Sequence, residues 1–528
     1  MVFLVNTSQM SDAEALSEEK GITRVKLMQN AAKGCFDFIR ERFENYRSMS
    51  FVLICGSGNN GGDGIELAFL LTEAGIKANI IITDKIPDTD TAKACIRNHK
   101  TALKGITLKK YPDRAAAALK KADVIIDCVF GTGFHGELPP DIADLFAFAE
   151  KCKGFKISVD IPSGVSGNSG SISKGSFKPD VTLVLAAVKT GMLNYPCRDF
   201  CGEMKVIHIG ITSDCYKEFD GVFTPRDITK LLPKRSESAH KGTFGRVLNV
   251  AGSRRYRGAA VLSSRAALRA GAGLVTLASV DDVINAAASD LPECVFLNLP
   301  ESKEGFISAD AITLEKKTTK AAAKTISGDV KAFSLLEEEA EKASAITIGC
   351  GMGNNENTLE IVSFLLKKGN CPVILDADGI NCLNGNINVL KDNNRPIIMT
   401  PHSGELARLM KTTPATLQAN RLNIARIFAI EYHVVLVLKG QNTIIAAPNG
   451  KAYINTSGSS ALAKAGSGDV LTGIIGALAA QGLEPFQAAV LGAYLHGKAA
   501  DLLVESGVNP ASVLASEVAD GLRLLKKD

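Results

Sequence analysis

The chain has 528 residues, 46% of them hydrophobic and 22% charged, which allows two large domains or three ordinary ones and excludes disorder over most of the length. Sixty basic residues against 56 acidic leave a formal charge of +4, so there is no overall footprint for nucleic acid or an anionic membrane. Twelve cysteines are too few for a disulfide scaffold in a chain this long; no C-x-x-C pair occurs, and buried free thiols in a reducing cytosol are expected.

In chain order, Val2–Val5 lies in a short apolar run that lacks a basic flank and turns acidic at once, which is no signal peptide. No stretch reaches the ~18 uncharged apolar residues of a membrane span, and a soluble, cytoplasmic protein is expected. Phe51–Cys55 then precedes a Gly-rich turn and a helical pattern. Further apolar runs follow at Asn79–Thr83, Val124–Asp127, Lys156–Asp160 and Val181–Leu185. Short Val/Ile-rich runs uninterrupted by polar residues suit strands covered on both faces, and helices between them predict a parallel sheet. A polar, Pro-containing stretch at about 222–242 marks a boundary. A second series follows at Arg246–Ala251, Ala345–Gly349, Pro372–Asp376, Ile397–Thr400 and Val434–Leu438. The prediction is two tandem α/β domains, residues 1–222 and 223–528. Residues 316–343, rich in Lys, Ala and Glu, are expected to be exposed helix without chemistry, and Lys526–Lys527 a frayed end.

In the first domain Gly56–Gly64 joins a strand to a helix. Its glycines let the backbone approach a ligand, and the helix start offers N–H groups to an anion. Asn59, Asn60 and Asp63 do not belong to the dinucleotide fingerprint G-x-G-x-x-G. Asp127 ends one strand before Phe130–Glu137, and Asp160 ends another in Ser158–Gly164. Ligands of open parallel sheets bind outside the carboxyl ends of strands. Carboxylates there either move protons or hold a cation; an isolated one would be a loop cap.

The loop NNGGDG, the run DCVFGTGFHGE and the segment SVDIPSG, with LMQNAA at Leu27–Ala32 and GEMKVIHIGI at Gly202–Ile211, resemble the NAD(P)H-hydrate epimerase domain over roughly residues 8–218. The resemblance implies a Rossmann-like α/β/α domain. It also implies that Asn59, Asn60, Gly61, Gly62, Asp63, Gly131, Thr132, Gly133, Phe134, His135, Gly136, Glu137 and Asp160 contact a hydrated nicotinamide nucleotide, with potassium near Asn60, Asp127 and Ser163. Asp160 is the implied proton-transfer residue with Lys189 as neighbour; His135 receives no catalytic role.

In the second domain Ala465–Gly473 reads AGSGDVLTG and runs into a helix. Small residues at a helix start make an anion hole, and an Asp there can act as base toward a hydroxyl. No G-x-x-x-x-G-K-[ST] occurs, so P-loop chemistry is not supported. The turn resembles the G-x-G-D signature of the ribokinase-like superfamily. With KGTFG at Lys241–Gly245, AGS at Ala251–Ser253, YRGAA at Tyr256–Ala260, ALRAGAGLVTLA at Ala267–Ala278, IGCGMG at Ile348–Gly353, LDADGIN at Leu375–Asn381, TPHSGELARL at Thr400–Leu409 and LKGQNT at Leu438–Thr443, it resembles the ADP-dependent NAD(P)H-hydrate dehydratase domain over roughly residues 230–525. By that resemblance Ala260, Gly353, His402 and Asp469 contact the hydrated nucleotide. Lys439, Gly440, Gln441, Asn442 and Thr443, with Ser459, Ser460, Ala461, Leu462, Ala463, Lys464, Ala465, Gly466, Ser467 and Gly468, hold ADP. Three motifs depart from the family pattern: GCGMG for G-P-G-L-G, PHSGE for P-H-P-G-E, and Ser457–Ala463 for T-G-N-x-G-M-A. Arg254, Arg255 and Arg257 either meet phosphate or form a solvated loop.

Together the resemblances imply a bifunctional repair enzyme acting on hydrated NADH and NADPH, with ADP or ATP as phosphoryl donor, Mg2+ and K+, no nucleic-acid or membrane partner, and a homo-oligomeric state. Two other readings stand beside it: a small-molecule kinase of the hydroxymethylpyrimidine or sugar type, which fits the GSGD turn equally, and an amino-terminal half that only binds.

Overall fold

The computed structural model describes residues 2–99, 105–110, 112–194, 196–216, 221–222, 228–309, 329–392 and 395–525. The chain forms two compact units, Val2–Gly221 and Val222–Asp528.

The first unit runs β1 (Val2–Val5), α1 (Thr7–Glu19), α2 (Arg24–Arg42), β2 (Ser50–Cys55), α3 (Asn59–Glu73), β3 (Lys77–Ile82), α4 (Asp90–Arg97), β4 (Gly105–Thr107), α5 (Pro112–Lys120), β5 (Val124–Cys128), α6 (Pro140–Glu150), β6 (Phe155–Val159), β7 (Val181–Leu185), β8 (Val188–Lys189) and β9 (Glu203–Ile207). Seven strands form a parallel sheet in the order β4-β3-β2-β5-β6-β7-β9. β5 is buried at every position, because one face packs with Leu53, Ile126 and Leu67 and the other with Ile54, Ile125 and Phe146; this is why the run reads as continuously apolar. The chain leaves β2 toward β4 and returns to β5, so the sheet's topological switch point lies between β2 and β5. Their carboxyl ends open a crevice there.

The amino-terminal apolar run is a strand. β1 pairs in parallel with β8, Leu4 opposite Val188 and Val5 opposite Lys189. α1 follows at once. Asn6 caps it, its Oδ1 accepting from the Gln9 amide at 2.8 Å while Gln9 Oε1 accepts from the Asn6 amide at 2.9 Å, a reciprocal capping box.

The second unit runs β10 (Arg246–Val250), α7 (Arg257–Arg269), β11 (Leu274–Ser279), β12 (Val295–Asn298), α8 (Asp329–Lys342), β13 (Ala345–Ile348), α9 (Glu356–Lys367), β14 (Val373–Leu375), β15 (Ile397–Met399), α10 (Ser403–Leu409), α11 (Arg421–Tyr432), β16 (Val435–Leu438), β17 (Ile444–Ala446), β18 (Ala452–Ile454), α12 (Ser467–Ala480), α13 (Pro485–Glu505) and α14 (Ala515–Gly521). Its sheet order is β12-β11-β10-β13-β14-β15-β16-β17-β18. The strands from β12 to β16 are parallel. β17 and β18 extend the sheet antiparallel, which the all-parallel expectation did not include. Every residue of α12 from Val470 to Ala480 is buried, as a helix apolar on all sides must be. Glycine sets its closeness to α7: a Cβ on Gly473 would stand 2.1 Å from the Ser263 carbonyl oxygen.

The helix α8 buries Leu336 and Ala340, so the Lys/Ala/Glu-rich segment has an inward face and is not simply exposed; its residues 316–328 lie outside the described residues, as do Lys526 and Lys527. All twelve cysteines are free thiols, and all but Cys152 and Cys371 are buried. Among the described residues no helix is long and apolar enough to cross a membrane.

Two candidate active sites

A cleft of about 490 Å³ opens at the switch point of the first unit, lined by residues from α1, α2, the β2–α3 loop, the loop after β5, Asp160 and Lys189. Asn59, Asn60, Asp63, Gly131, Thr132, Gly133, Phe134 and Asp160 all line it; Gly61, Gly62, His135, Gly136 and Glu137 do not. Glu137 instead accepts from Ser173 Oγ at 2.9 Å, and a Cβ on Gly61 would stand 1.9 Å from the Gly56 carbonyl oxygen, so this glycine closes the turn. α3 begins at Gly58 with no side-chain cap, leaving its first-turn amides for a ligand.

Asp160 follows β6 with φ of 71°, a left-handed backbone that a non-glycine residue adopts only under constraint. Its amide donates to the Leu183 carbonyl at 2.8 Å. Lys189, 1% exposed, donates from Nζ to Asp160 Oδ1 at 2.5 Å and to the Leu185 carbonyl at 2.9 Å. Gly131 comes so close to Asp160 that a Cβ there would stand 2.8 Å from Oδ2. Two more carboxyls face the cleft. Burial, reinforced by Asp160, lifts Asp63 well above the usual carboxylate range. Burial, again reinforced by Asp160, also lifts Glu14, with Lys189 and Arg24 pulling the other way.

Asp127 is fully buried and bonded out. Its Oδ1 accepts from the Val129 amide and Ser163 Oγ, and Oδ2 from Ser158 Oγ and the Ser163 amide. Burial still lifts it to about 6. Asn60 donates from Nδ2 to the Phe130 and Val159 carbonyls at 2.9 and 3.2 Å, while its buried Oδ1 meets no hydrogen-bond donor among the described residues.

In the second unit the start of α12 meets the carboxyl ends of β14, β15 and β16. Asp376, just after β14, accepts from Lys439 Nζ and Thr400 Oγ1 at Oδ1, both at 2.7 Å, and from Thr472 Oγ1 at Oδ2 at 2.8 Å. Burial raises the Asp376 carboxyl, but Lys439 and the hydroxyls overcome it and hold the group below its ordinary value. Burial likewise opposes the Lys439 charge, and Asp376 with Glu405 overcomes it. Lys439 lies under the α12 turn: a Cβ on Gly468 would stand 3.2 Å from its Nζ. That turn starts at Gly466, φ 90°, with no side-chain cap. Asp469 follows in the first turn, lifted to about 7 by burial and then by Asp376. Cys350 Sγ and carboxylate oxygens of Asp376 and Asp469 lie within 4.8 Å of one another.

His402 is the N-cap of α10. Its Nδ1 accepts from the Gly404 amide at 3.0 Å, and Glu405 Oε2 accepts from its own amide at 2.8 Å. A parallel bridge sets it beside Lys439, so His402, Glu405 and Lys439 converge. The Gly353 amide donates to Asp378 Oδ2 at 2.8 Å. Ala260 is fully buried on α7 behind Gly252. In the Lys439–Thr443 loop Asn442 has φ of 54°, and Arg421 supports the loop through the Gln441, Leu438 and Lys439 carbonyls. In the segment Ser459–Gly468, Ser460–Leu462 makes a 3-10 turn and Ser459 Oγ is buried without a hydrogen-bond partner. Ser467 Oγ meets His496 Nε2 at 3.2 Å. Arg254 and Arg257 are taken up by Asp282, and Arg254 also by Glu301, so of the two readings of this loop the surface ion pairs favour the solvated one.

The sequence alone does not single out Glu14, Asp376, Arg421 or His496 as site residues. Asp376 was the most findable, standing in LDADGIN at the end of an apolar run.

A family model described as NAD(P)H-hydrate dehydratase matches residues 247–522, and one described as YjeF-related protein N-terminus matches residues 24–191. A curated bifunctional NAD(P)H-hydrate repair enzyme from Moorella thermoacetica is 36% identical over 509 residues, 95% of this chain and 92% of its own. This chain belongs to the bifunctional NAD(P)H-hydrate repair enzyme family. The Escherichia coli repair enzyme is 30% identical and covers 92% of this chain and 86% of its own. Among solved structures, the ADP/ATP-dependent NAD(P)H-hydrate dehydratase of Bacillus subtilis, co-crystallised with ATP and Mg2+, is 30% identical. It covers 57% of this chain and 96% of its own, with a TM-score of 0.47.

Proposed function

We infer that the chain repairs hydrated nicotinamide nucleotides by two activities. The first unit interconverts the R and S epimers of hydrated NADH and NADPH. The second dehydrates the S epimer to NAD(P)H at the expense of ADP, giving AMP and phosphate. The observation that carries the reading is a carboxyl and a lysine held at an uncapped helix start in each unit: Asp160 ion-paired to the buried Lys189 near α3, and Asp469 in the first turn of α12, where Lys439, ion-paired to Asp376, lies under Gly468.

In the first unit the substrate phosphates meet the amides of α3, and Asn59, Asn60 and Asp63 with Gly131–Phe134 and Asp160 enclose the nicotinamide. Lys189 fixes the Asp160 carboxylate at the reacting carbon. In the second unit, Asp469 takes the proton of the C6 hydroxyl as that oxygen attacks the terminal phosphoryl group of ADP. Hydroxide, a poor leaving group, is thereby exchanged for phosphate. Loss of phosphate, driven by the ring nitrogen's electron pair, restores NAD(P)H. The amides at Ser467 and Gly468 and the Lys439 ammonium offset the charge that develops on the transferred group. Lys439–Thr443 and Ser459–Gly468 hold ADP, while Gly353, His402 and Asp469 bound the hydrated nucleotide; Ala260, fully buried, supports the wall from behind Gly252.

Potassium fits beside Asn60, whose buried Oδ1 has no donor, a place for an electropositive partner. Asp127, whose oxygens already accept from Val129, Ser158 and Ser163, would lend charge there rather than a free ligand oxygen, and potassium held at this place would tie down the loop after β5. Magnesium fits as a companion of the nucleotide: it takes one or two carboxylates plus phosphates, and of the Cys350, Asp376 and Asp469 group Asp376 is already bonded out by Lys439, Thr400 and Thr472 and a thiol is a poor ligand for it, which leaves Asp469 and the phosphates to hold it. When bound it neutralises phosphate charge.

The test is recovery of absorbance at 340 nm from mixed epimers of hydrated NADH, with ADP and with ATP separately. Full recovery with ADP is expected. Recovery that stops at the S fraction overturns the epimerase half, and no recovery with either nucleotide overturns the dehydratase.

A further inference from the structure

We propose that Glu14, on the amino-terminal helix α1, is the second proton-transfer group of the epimerisation site and works with Asp160 on the C6 hemiaminal of hydrated NAD(P)H. This rests on the epimerase reading above.

The chemistry calls for two such groups. C6 carries a hydroxyl and the ring nitrogen N1. One group takes the hydroxyl proton, the C6–O bond becomes a carbonyl, and the N1–C6 bond breaks with its electron pair left on N1. The other group gives N1 a proton. Rotation about C5–C6 presents the opposite carbonyl face. N1 then returns its proton as it attacks C6, the oxygen regains one, and the ring closes inverted. Nothing is consumed, and both groups end as they began. A single carboxylate held by a lysine can take the first proton; a second group across the cleft lets N1 be protonated as the C6–N1 bond breaks, without moving one proton between two sites.

The fold delivers that group to the cleft. β1 pairs with β8 so that Val5 stands opposite Lys189, the residue that holds Asp160. Asn168 clamps the next turn: its Oδ1 accepts from the Thr7 amide at 2.8 Å, and its Nδ2 donates to Thr7 Oγ1 at 2.9 Å. α1 buries Met10, Ala13 and Ser17. Glu14 lies one turn after Met10 on that inward side, and Met10, Ser11 and Glu14 all line the cleft.

Three carboxyls line the cleft, and their surroundings separate them. Asp160 is ion-paired to Lys189, which suits the group that accepts a proton. Asp63, in the second turn of α3, is raised by burial and by the same cleft charges, Asp160 and Glu14, and also borders the buried thiols Cys35, Cys95 and Cys128. Glu14 is influenced by the cleft's own charges: Asp160 after β6, Lys189 on β8 and Arg24 on α2, with Asp63 the charged group of the facing α3. Burial and Asp160 together raise it, which favours the protonated form that a donor needs.

The experiment uses the full chain with purified R epimer of hydrated NADH, ADP and Mg2+, read at 340 nm after subtraction of the rate without enzyme. Purified S epimer is run in parallel. In Glu14→Gln the R-epimer rate is expected to fall about 100-fold while the S-epimer rate is unchanged. The alkaline limb of the R-epimer pH profile is expected to vanish, since a donor must be protonated. Glu14→Asp, which keeps the carboxyl, is expected to recover part of the rate. An R-epimer rate within threefold of wild type in Glu14→Gln overturns the proposal. So does a slowed rate that keeps the wild-type pH profile, which marks a structural role. Absence of any R-epimer turnover in the wild type overturns the epimerase reading itself, an outcome distinct from failure of the variant alone.

Discussion

At the scale of single residues, Asp469 ties function to stability. Its carboxyl stands at about 7 in the fold against 3.8 ordinarily. Between those values the unfolded chain has released the proton while the folded chain keeps it, so stability declines as pH rises through that window and the full cost is felt above it. The upper bound is about 4 kcal/mol. Asp469→Asn is therefore expected to raise the urea midpoint, more at pH 8 than at pH 5, while lowering dehydration by roughly 10²–10⁴-fold. A midpoint gain independent of pH would contradict the assignment of that cost to Asp469 ionisation. In the wild type, dehydration falls as pH drops below about 7, where the base is protonated. Asn60 offers the corresponding test in the first unit. Potassium chloride is expected to raise the wild-type melting temperature beyond an equal concentration of choline chloride, and Asn60→Ala, which removes the unpartnered Oδ1, to abolish the difference.

At the scale of elements, the β2–α3 turn is the most constrained piece of the first site. Gly61→Ala places a methyl 1.9 Å from the Gly56 carbonyl oxygen, a clash with backbone that no side-chain rotation relieves. A loss of about 3 kcal/mol in denaturant unfolding and of epimerisation is expected. Gly58→Ala meets nothing within 4 Å, so it loses only the preference of the N-cap for glycine over alanine and is expected to cost about 1 kcal/mol or less. The contrast explains what was legible in the sequence. Runs such as Val124–Asp127 announced buried parallel strands because both their faces are covered, and Gly-rich turns announced the strand ends where ligands bind. β1 was read only as an apolar run, because four residues carry no period long enough to separate a strand from anything else; its pairing with β8 supplies what the local sequence lacks. β17 and β18, three residues each, are short for the same reason. Glu14 was missed because its meaning comes from Lys189, 175 positions away and brought near by that pairing. The Asp376–Lys439 pair was hidden likewise: each half stood in a motif, but only the β14–β15–β16 order joins them.

At the scale of the whole molecule, the main hydrophobic clusters of the described residues each fall within one unit. The clusters around Leu53 and Ile126 and around Ile54 and Phe146 draw only on residues before 212, and the cluster around Ile474, Ile475 and Leu491 only on residues after 227. Cooperative unfolding follows shared burial, so cores that share no residue can melt as distinct units. A ligand stabilises the unit that binds it by mass action, about 2.7 kcal/mol at a hundredfold excess over its dissociation constant. ADP with Mg2+ is therefore expected to move one calorimetric transition upward and leave the other in place, while potassium moves the one that ADP leaves. Asp469→Asn fixes the assignment, since the transition it shifts in the absence of ligand at pH 8 must be the one that ADP shifts. A single transition that moves as one with either ligand would mean that the units unfold together, and that repair of both epimers depends on one cooperative structure despite the two cores.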